Sequence, residues 1–298
     1  MAPLHVVGPT IAPRRRISRS IIVAHFDRTG GLDPHVLHAL REYRRHARHL
    51  VLVSSSLRTL PAAARAVVDD FIPRPNEGYD FGSWQAGLRS LQPGDDEVLC
   101  VNDSVYGPLC DLGPTLSAPQ TAAADLWGMV LSDQAARPGG PRRRPHVQSW
   151  FFGMRQRLLE SDVCERFWRS VRPLPTKLDV IETFELGMSE CFAREGFHIA
   201  GIYDTRAARR LTIAELWPHL GLASPARTWR LIRKASRQTH NPSELTWWRL
   251  LEAGVPFVKV AVFRTNQYGV DLRRIIADLR RRAPQHMGLI HDHLARCG

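Results

Sequence analysis

The sequence is short of cysteine, of long apolar runs and of acidic residues, and each shortage excludes something. Its five cysteines, Cys100, Cys110, Cys164, Cys191 and Cys297, are odd in number and show no CxxC or mixed Cys/His ligand spacing. That argues against a disulfide framework and against a zinc site, and it fits a reducing cytoplasm. No apolar run approaches the roughly 20 residues that a membrane span needs, and the opening residues lack the apolar core of a signal peptide. Any membrane association is therefore expected to be peripheral, on the inner face of the plasma membrane. Asp and Glu number 29 against 41 Lys and Arg, giving a formal charge of +12 and a pI near 10.3. The preferred partners are then anionic: nucleic acid, an acidic membrane surface or a phosphorylated small molecule.

What is present is enough for a large core. A chain of 298 residues with 44% hydrophobic content can form one large α/β domain with an appendage, or two modest domains. Apolar runs at Ile21 to Phe26, Leu50 to Val53, Glu97 to Val101, Leu126 to Leu131, Gln148 to Met154 and His198 to Tyr203 read as strands. Between them, Pro34 to Ala47, Leu60 to Asp70, Phe81 to Leu91 and Lys177 to Gly196 read as helices, the last ending in a glycine suited to its C-cap. Strands alternating with helices at this spacing predict βαβ units around a parallel sheet. Residues 1–19, rich in Pro and Arg, read as a loose basic arm, and residues 20–205 as the α/β domain. From about 206 to 298 an Arg- and Trp-rich helical pattern reads as a C-terminal extension packed on it. The Arg/Pro/Gly-rich loop from Ala135 to Pro145 reads as mobile.

In an open α/β sheet, ligands bind at the carboxyl ends of the strands. Asp27, Ser54 to Ser56, the loop Asn76-Glu77-Gly78-Tyr79-Asp80-Phe81-Gly82-Ser83-Trp84 and Asn102-Asp103-Ser104 all fall there. Asp103 directly follows a buried strand, a position from which a carboxylate can reach a Mg²⁺ or Mn²⁺ ion that bridges phosphates; equally, it can cap a turn. Gly78 and Gly82 allow close backbone approach or unusual backbone angles, and Asn76 and Asp80 can hydrogen-bond a ribose or sugar hydroxyl. Asp80 can instead cap the helix that follows. His146, Gln148, Ser149 and Trp150 mix polar and aromatic groups as a sugar site does, or begin an ordinary buried strand. Glu182 and Glu185, three apart on one helix, are expected to share a face, where a carboxylate can take a proton from an attacking hydroxyl; a solvated helix start explains them as well.

Taken together, NEGYDFGSW at Asn76 to Trp84, VNDSVYGPL at Val101 to Leu109, HVQSWFFGMR at His146 to Arg155 and NPSELTWWRLLEAGVPFVKVAVFR at Asn241 to Arg264 resemble the rhamnan synthesis protein F family of glycosyltransferases. The resemblance runs in the same order over roughly residues 21 to 270. It implies a GT-A-like, Rossmann-related mixed sheet flanked by helices, with a mainly helical C-terminal extension. It also implies inverting transfer of a deoxyhexose, typically L-rhamnose from dTDP-rhamnose, onto a lipid-linked or polysaccharide acceptor of the bacterial surface. By that similarity Asn102-Asp103 stands where such enzymes carry a metal-binding Asp-x-Asp. Asn102 is neutral and Ser104 holds the third position, so the cation dependence departs from the pattern. Glu182 is the first choice for the base and Glu185 the second, because Thr183 replaces the Asp of the usual Glu-Asp. The donor contacts implied are His25, Asp27, Asn76, Gly78, Asp80, Asn102, Asp103 and Ser104; the acceptor contacts are His146, Gln148, Ser149 and Trp150.

Two competing classes remain at the level of sequence. A nucleic-acid-binding protein would cluster its basic residues on a groove-entering or base-stacking element, and here the charge is dispersed with no such motif, so no nucleic-acid partner is expected. A catalytically silent sugar-binding homologue is kept open by the missing Asp-x-Asp.

Overall fold

A computed structural model describes residues 17–133, 144–221, 229, 231–233 and 240–297. Most of the expected basic arm, residues 135–143 of the loop expected over Ala135 to Pro145, and residues 222–228, 230 and 234–239 of the C-terminal extension lie outside these residues. The apolar runs form strands β1 (Arg19–His25), β2 (His49–Ser54), β3 (Asp70–Pro73), β4 (Glu97–Asn102), β5 (Val105–Tyr106), β6 (Leu126–Ser132), β7 (His146–Val147), β8 (Phe151–Arg155), β9 (Ile199–Asp204) and β10 (Val258–Lys259). Eight of them make one sheet in the order β3-β2-β1-β4-β8-β6-β7, with β9 paired to β6, while β5 and β10 form a separate ribbon. The first four are parallel; β8 runs antiparallel to both β4 and β6. The sheet is therefore mixed.

Alternation along the strands explains the layering. Ile21, Val23, Leu50, Leu52, Leu99 and Val101 face one side and pack with Val36, Leu40 and Tyr43 of α1 (Pro34–Arg44). Ile22, Ala24, Val51, Val53, Val98 and Cys100 face the other and pack under α2 (Tyr79–Ser90) and α3 (Asp162–Ser170), through Phe81, Trp84, Phe167 and Trp168. With both faces covered, the strands read as continuous apolar runs. Contact is closest at Gly87 of α2, where a Cβ would lie 2.4 Å from Ile22 Cγ2. Only glycine lets the helix sit that near the sheet.

The third core cluster belongs to the C-terminal part. Trp247, Trp248, Val262, Phe263, Ile275 and Leu279 pack with Tyr106 and Leu109 of the sheet domain, bringing α4 (Leu272–Arg282) and α5 (Met287–Cys297) against it. Pairing of β10 with β5, Lys259 opposite Val105, carries the C-terminal segment to the residues just after β4.

Three expected elements differ. Leu60 to Asp70 is not a helix: it holds one 3-10 turn, Ala62–Ala64, because the edge strand β3 takes the end of the segment from Asp70. Gln148 to Met154 is not one strand, since a turn at Ser149 and Trp150 separates β7 from β8. The helix from Lys177 is interrupted by a π-helical turn, Ile181–Leu186, before resuming over Gly187–Arg194. Its end agrees with the sequence, Gly196 adopting φ +78°.

Candidate active site

The parallel register aligns the carboxyl ends of the central strands, with His25 beside Ser54 and Ala24 beside Asn102. His25 is buried, its Nδ1 2.9 Å from Ser54 Oγ, and burial lowers its pKa to about 4, so its imidazole is neutral at pH 7. Beyond β1 the Asp27 carboxylate accepts hydrogen bonds from Thr29 N (2.8 Å), Thr29 Oγ1 (2.6 Å), Gly31 N (3.1 Å) and Arg296 Nη2 (2.6 Å). Burial alone would raise its pKa, but the Arg296 guanidinium and these donors hold it far below the usual carboxylate range. The loop after β1 is thus fastened to α5.

The glycine-aromatic loop enters α2 by a left-handed turn, Gly78 at φ +70°, which glycine takes without strain, and Tyr79 at φ +52°, where a bulky residue is strained. Asp80 then aims at β4 rather than capping its own helix: its Oδ2 accepts from Asn102 Nδ2 at 2.8 Å. Asn102 Oδ1 accepts from Ser104 N (3.1 Å) and Ser104 Oγ (2.6 Å), and Ser104 Oγ accepts from Lys259 Nζ at 3.3 Å. Asp103 turns to β1, accepting from Phe26 N at 2.8 Å. Asp80, Asp103 and Lys259 each keep partial exposure while protein surrounds them, as groups lining a narrow crevice do.

Their electrostatics are coupled. Burial raises the Asp103 pKa to about 8, the Phe26 N–H opposing and the neighbouring charges of Asp80 and Asp27 adding to it. Burial also raises Asp80, against the Asn102 hydrogen bond and the charges of Lys177 and Lys259. Lys259 is lowered to about 8 by burial, with Glu185, Glu244 and Asp80 resisting. Burial thus disfavours charge of either sign in the crevice, carboxylate and ammonium alike.

The opposite wall is built on the π turn, a distortion that recurs at functional sites. Glu185 accepts from Ser149 N at 2.9 Å and from Ser149 Oγ, with His146 Nε2 3.8 Å from its other oxygen. Glu185 is also felt by Asp80 and Lys259, so the two walls face one crevice. The expectation that Glu182 points with it is weakened, because the wider π turn rotates residues three apart away from a common face. Glu182 is half-buried.

The remaining expected residues are placed less openly. Gln148 is buried, donating to Asn241 Oδ1 at 3.0 Å and accepting from Trp150 Nε1 at 3.1 Å and from Ser243 Oγ. Trp150 is 3% exposed and packs on Phe257, ring centroids 5.7 Å apart. His146 is buried as well, Nδ1 2.8 Å from the Arg144 carbonyl oxygen. All three are buried rather than lining an open surface. Asn76 is exposed beside the loop and is not drawn into the crevice. A cavity of about 510 Å³ lies elsewhere, at the amino end of β4, lined by Leu88, Leu91, Val98, Leu159 and Trp168 among others; it holds none of these groups.

Lys259 is the group that sequence reasoning passed over. Its Nζ lies 5.5 Å from the centroid of the Trp150 ring, a cation–π distance, and donates one hydrogen bond among the described residues. The available signal was rarity, since Lys177, Lys234 and Lys259 are the chain's three lysines and arginine supplies the rest of its basic side chains.

A family model described as rhamnan synthesis protein F matches residues 51–217. The virulence protein VirA of Vibrio anguillarum is 30% identical over 215 residues, 67% of this chain and 64% of the relative. An uncharacterized protein, y4gN, of Sinorhizobium fredii is 27% identical over 140 residues, 44% of this chain and 34% of its own. The match thus spans 64% of the length of the first curated relative. Among solved structures, glucosyl-3-phosphoglycerate synthase from Mycobacterium tuberculosis, in complex with Mn²⁺, UDP-glucose and phosphoglyceric acid, covers 75% of this chain and 79% of its own at 14% identity and a TM-score of 0.39. CMP:2-keto-3-deoxy-manno-octonic acid synthetase complexed with CTP covers 74% and 99% at 11% identity and a TM-score of 0.38. Likeness at that level identifies neither a substrate nor a reaction.

Proposed function

The chain belongs to the rhamnan synthesis protein F family, and from that premise we propose that it is a GT-A-like glycosyltransferase acting on a nucleotide-sugar in bacterial surface polysaccharide synthesis. The finer proposal is inverting transfer of L-rhamnose from dTDP-rhamnose onto a polysaccharide or lipid-linked acceptor. One observation carries it: Asp80, Asn102, Asp103, Ser104 and Lys259 converge at the carboxyl ends of parallel strands, with Glu185 on the facing wall.

An in-line displacement needs a base on the acceptor side and positive charge on the diphosphate side. In this reading Glu185 is the base, held by Ser149 in one orientation, and takes the proton of the attacking hydroxyl. Lys259, still largely protonated at pH 7, supports the departing diphosphate, and the loops carrying His25, Asp27, Gly78 and Asp80 hold the donor. Asp103 and Asp80 offer hard oxygen donors that fit Mg²⁺ or Mn²⁺, and such an ion would add charge on the leaving-group side. Asn102, spent on Asp80 and Ser104, then shapes the turn rather than ligating. Residues 20–205 would form the donor-binding and catalytic unit, with 206–298 a basic extension that contributes Lys259.

The same extension supports a further assignment, peripheral contact with an anionic leaflet. Ile213 and Trp217, four apart, are 55% and 62% exposed, and Trp229 is 66% exposed.

The base is tested by turnover. Glu185→Gln is expected to lower kcat by about 10²- to 10⁴-fold, and Glu182→Gln by much less. Equal activity of both variants with the unchanged protein would remove the proposed base.

A further inference from the structure

Next to the Asp103 turn, three ligating side chains meet that no step above uses. Asp33 precedes α1, His35 lies in the first turn of α1, and His293 reaches them from α5. They are 6%, 5% and 6% exposed, and one ligating atom from each lies within 4.8 Å of the others. Neither ring nitrogen of His35 has a hydrogen-bond partner of good geometry among the described residues, although the backbone of Asp103 lies near. A buried polar ring in that condition calls for a partner. The ring of His293 is already aimed. Its Nδ1 lies 2.6 Å from the Tyr106 hydroxyl, which leaves Nε2 facing Asp33 Oδ2 at 3.5 Å. An outer hydrogen bond on one nitrogen that orients the other is how ligating imidazoles are held.

We propose that Asp33, His35 and His293 bind a divalent transition-metal ion, best matched by Zn²⁺, which clips the C-terminal helix to the start of α1. Two imidazoles and one carboxylate are a borderline donor set that suits Zn²⁺ and its first-row neighbours better than Mg²⁺ or Ca²⁺. Asp33 is also held by Arg296, Nε donating to Oδ1 at 2.8 Å and Nη2 to Oδ2. A carboxylate has about four lone-pair sites, so the guanidinium becomes an outer partner of the ligand rather than a competitor. The shortage of Cys/His spacing in the sequence does not bear on this site, because His293 joins the other two only through the fold. The site does not depend on the donor reading, because none of its three ligands is among the groups assigned to the donor; Arg296 joins it to the Asp27 loop.

The test is calorimetric titration of the EDTA-dialysed full chain with Zn²⁺ alone. One ion per chain is expected, with binding lost in His35→Ala and in His293→Ala, and weakened about 10- to 100-fold in Tyr106→Phe. Exposed Cys110 is an adventitious alternative, and a variant can fail to fold. The unmodified protein loaded with Co²⁺ covers both cases: its spectrum is expected to show nitrogen and oxygen ligation without thiolate charge transfer. No stoichiometric uptake, uptake that survives the double variant His35→Ala/His293→Ala, or a thiolate spectrum would each overturn the proposal.

Discussion

Asp103 stands for the whole site at the scale of a residue. Its folded pKa of about 8 lies above the ordinary 3.8, so between about pH 4 and 8 the folded state holds a proton that the unfolded state has released. Stability then falls as pH rises through that window, the reverse of an ion-paired carboxylate. Asp103→Asn removes this component. The melting temperature of the variant minus that of the unchanged protein is therefore expected to grow from pH 5 to pH 8, and Mg²⁺ or Mn²⁺ to narrow the gap if the cation sits on Asp103. A difference that stays flat with pH would show that Asp103 ionises freely. The sequence displayed Asp103 and Asp80 because both follow recognisable strand or loop signals. It concealed Lys259 and Arg296, whose roles come from contacts across 155 and 269 positions of chain, and no local pattern records such pairings.

Among elements, the buried strands were legible and their interruptions were not. Continuous apolar runs identify β1, β2, β4 and β6, because both faces of the sheet are covered. The edge strand β3 is four residues with little burial, hidden behind an Ala-rich segment whose Pro61 reads as a helix start. The π turn over Ile181–Leu186 has no sequence signature of its own. The sheet also contains an ion cluster that apolar pattern alone does not announce. Glu97 of β4 is fully buried between Arg19, Arg155 (3.0 Å) and the Trp127 indole N–H (2.8 Å). Removing one partner leaves the buried arginines uncompensated, so Glu97→Ala is expected to cost about 3–5 kcal/mol, read as a lower denaturant midpoint at unchanged slope. A cost below about 1 kcal/mol would mean that the arginines are already solvated.

On the scale of the whole molecule, charge and fold act together. The excess of 12 positive charges and the exposed Ile213, Trp217 and Trp229 support docking on an anionic leaflet, where each basic residue near the surface contributes about 1 kcal/mol. Flotation with phosphatidylserine-containing vesicles is expected to carry the protein upward at low salt, less so at high salt and less so for Trp217→Ala. Equal flotation with neutral vesicles would contradict that assignment. The central claim concerns the crevice where the C-terminal segment meets the sheet. It is tested most directly by calorimetric titration with a panel of nucleoside diphosphates and nucleotide-sugars, dTDP-rhamnose included, with and without Mn²⁺ or Mg²⁺. The account predicts micromolar binding of one base, weakened by both Asp103→Ala and Lys259→Gln; no binding of any nucleotide under any of these conditions would contradict it.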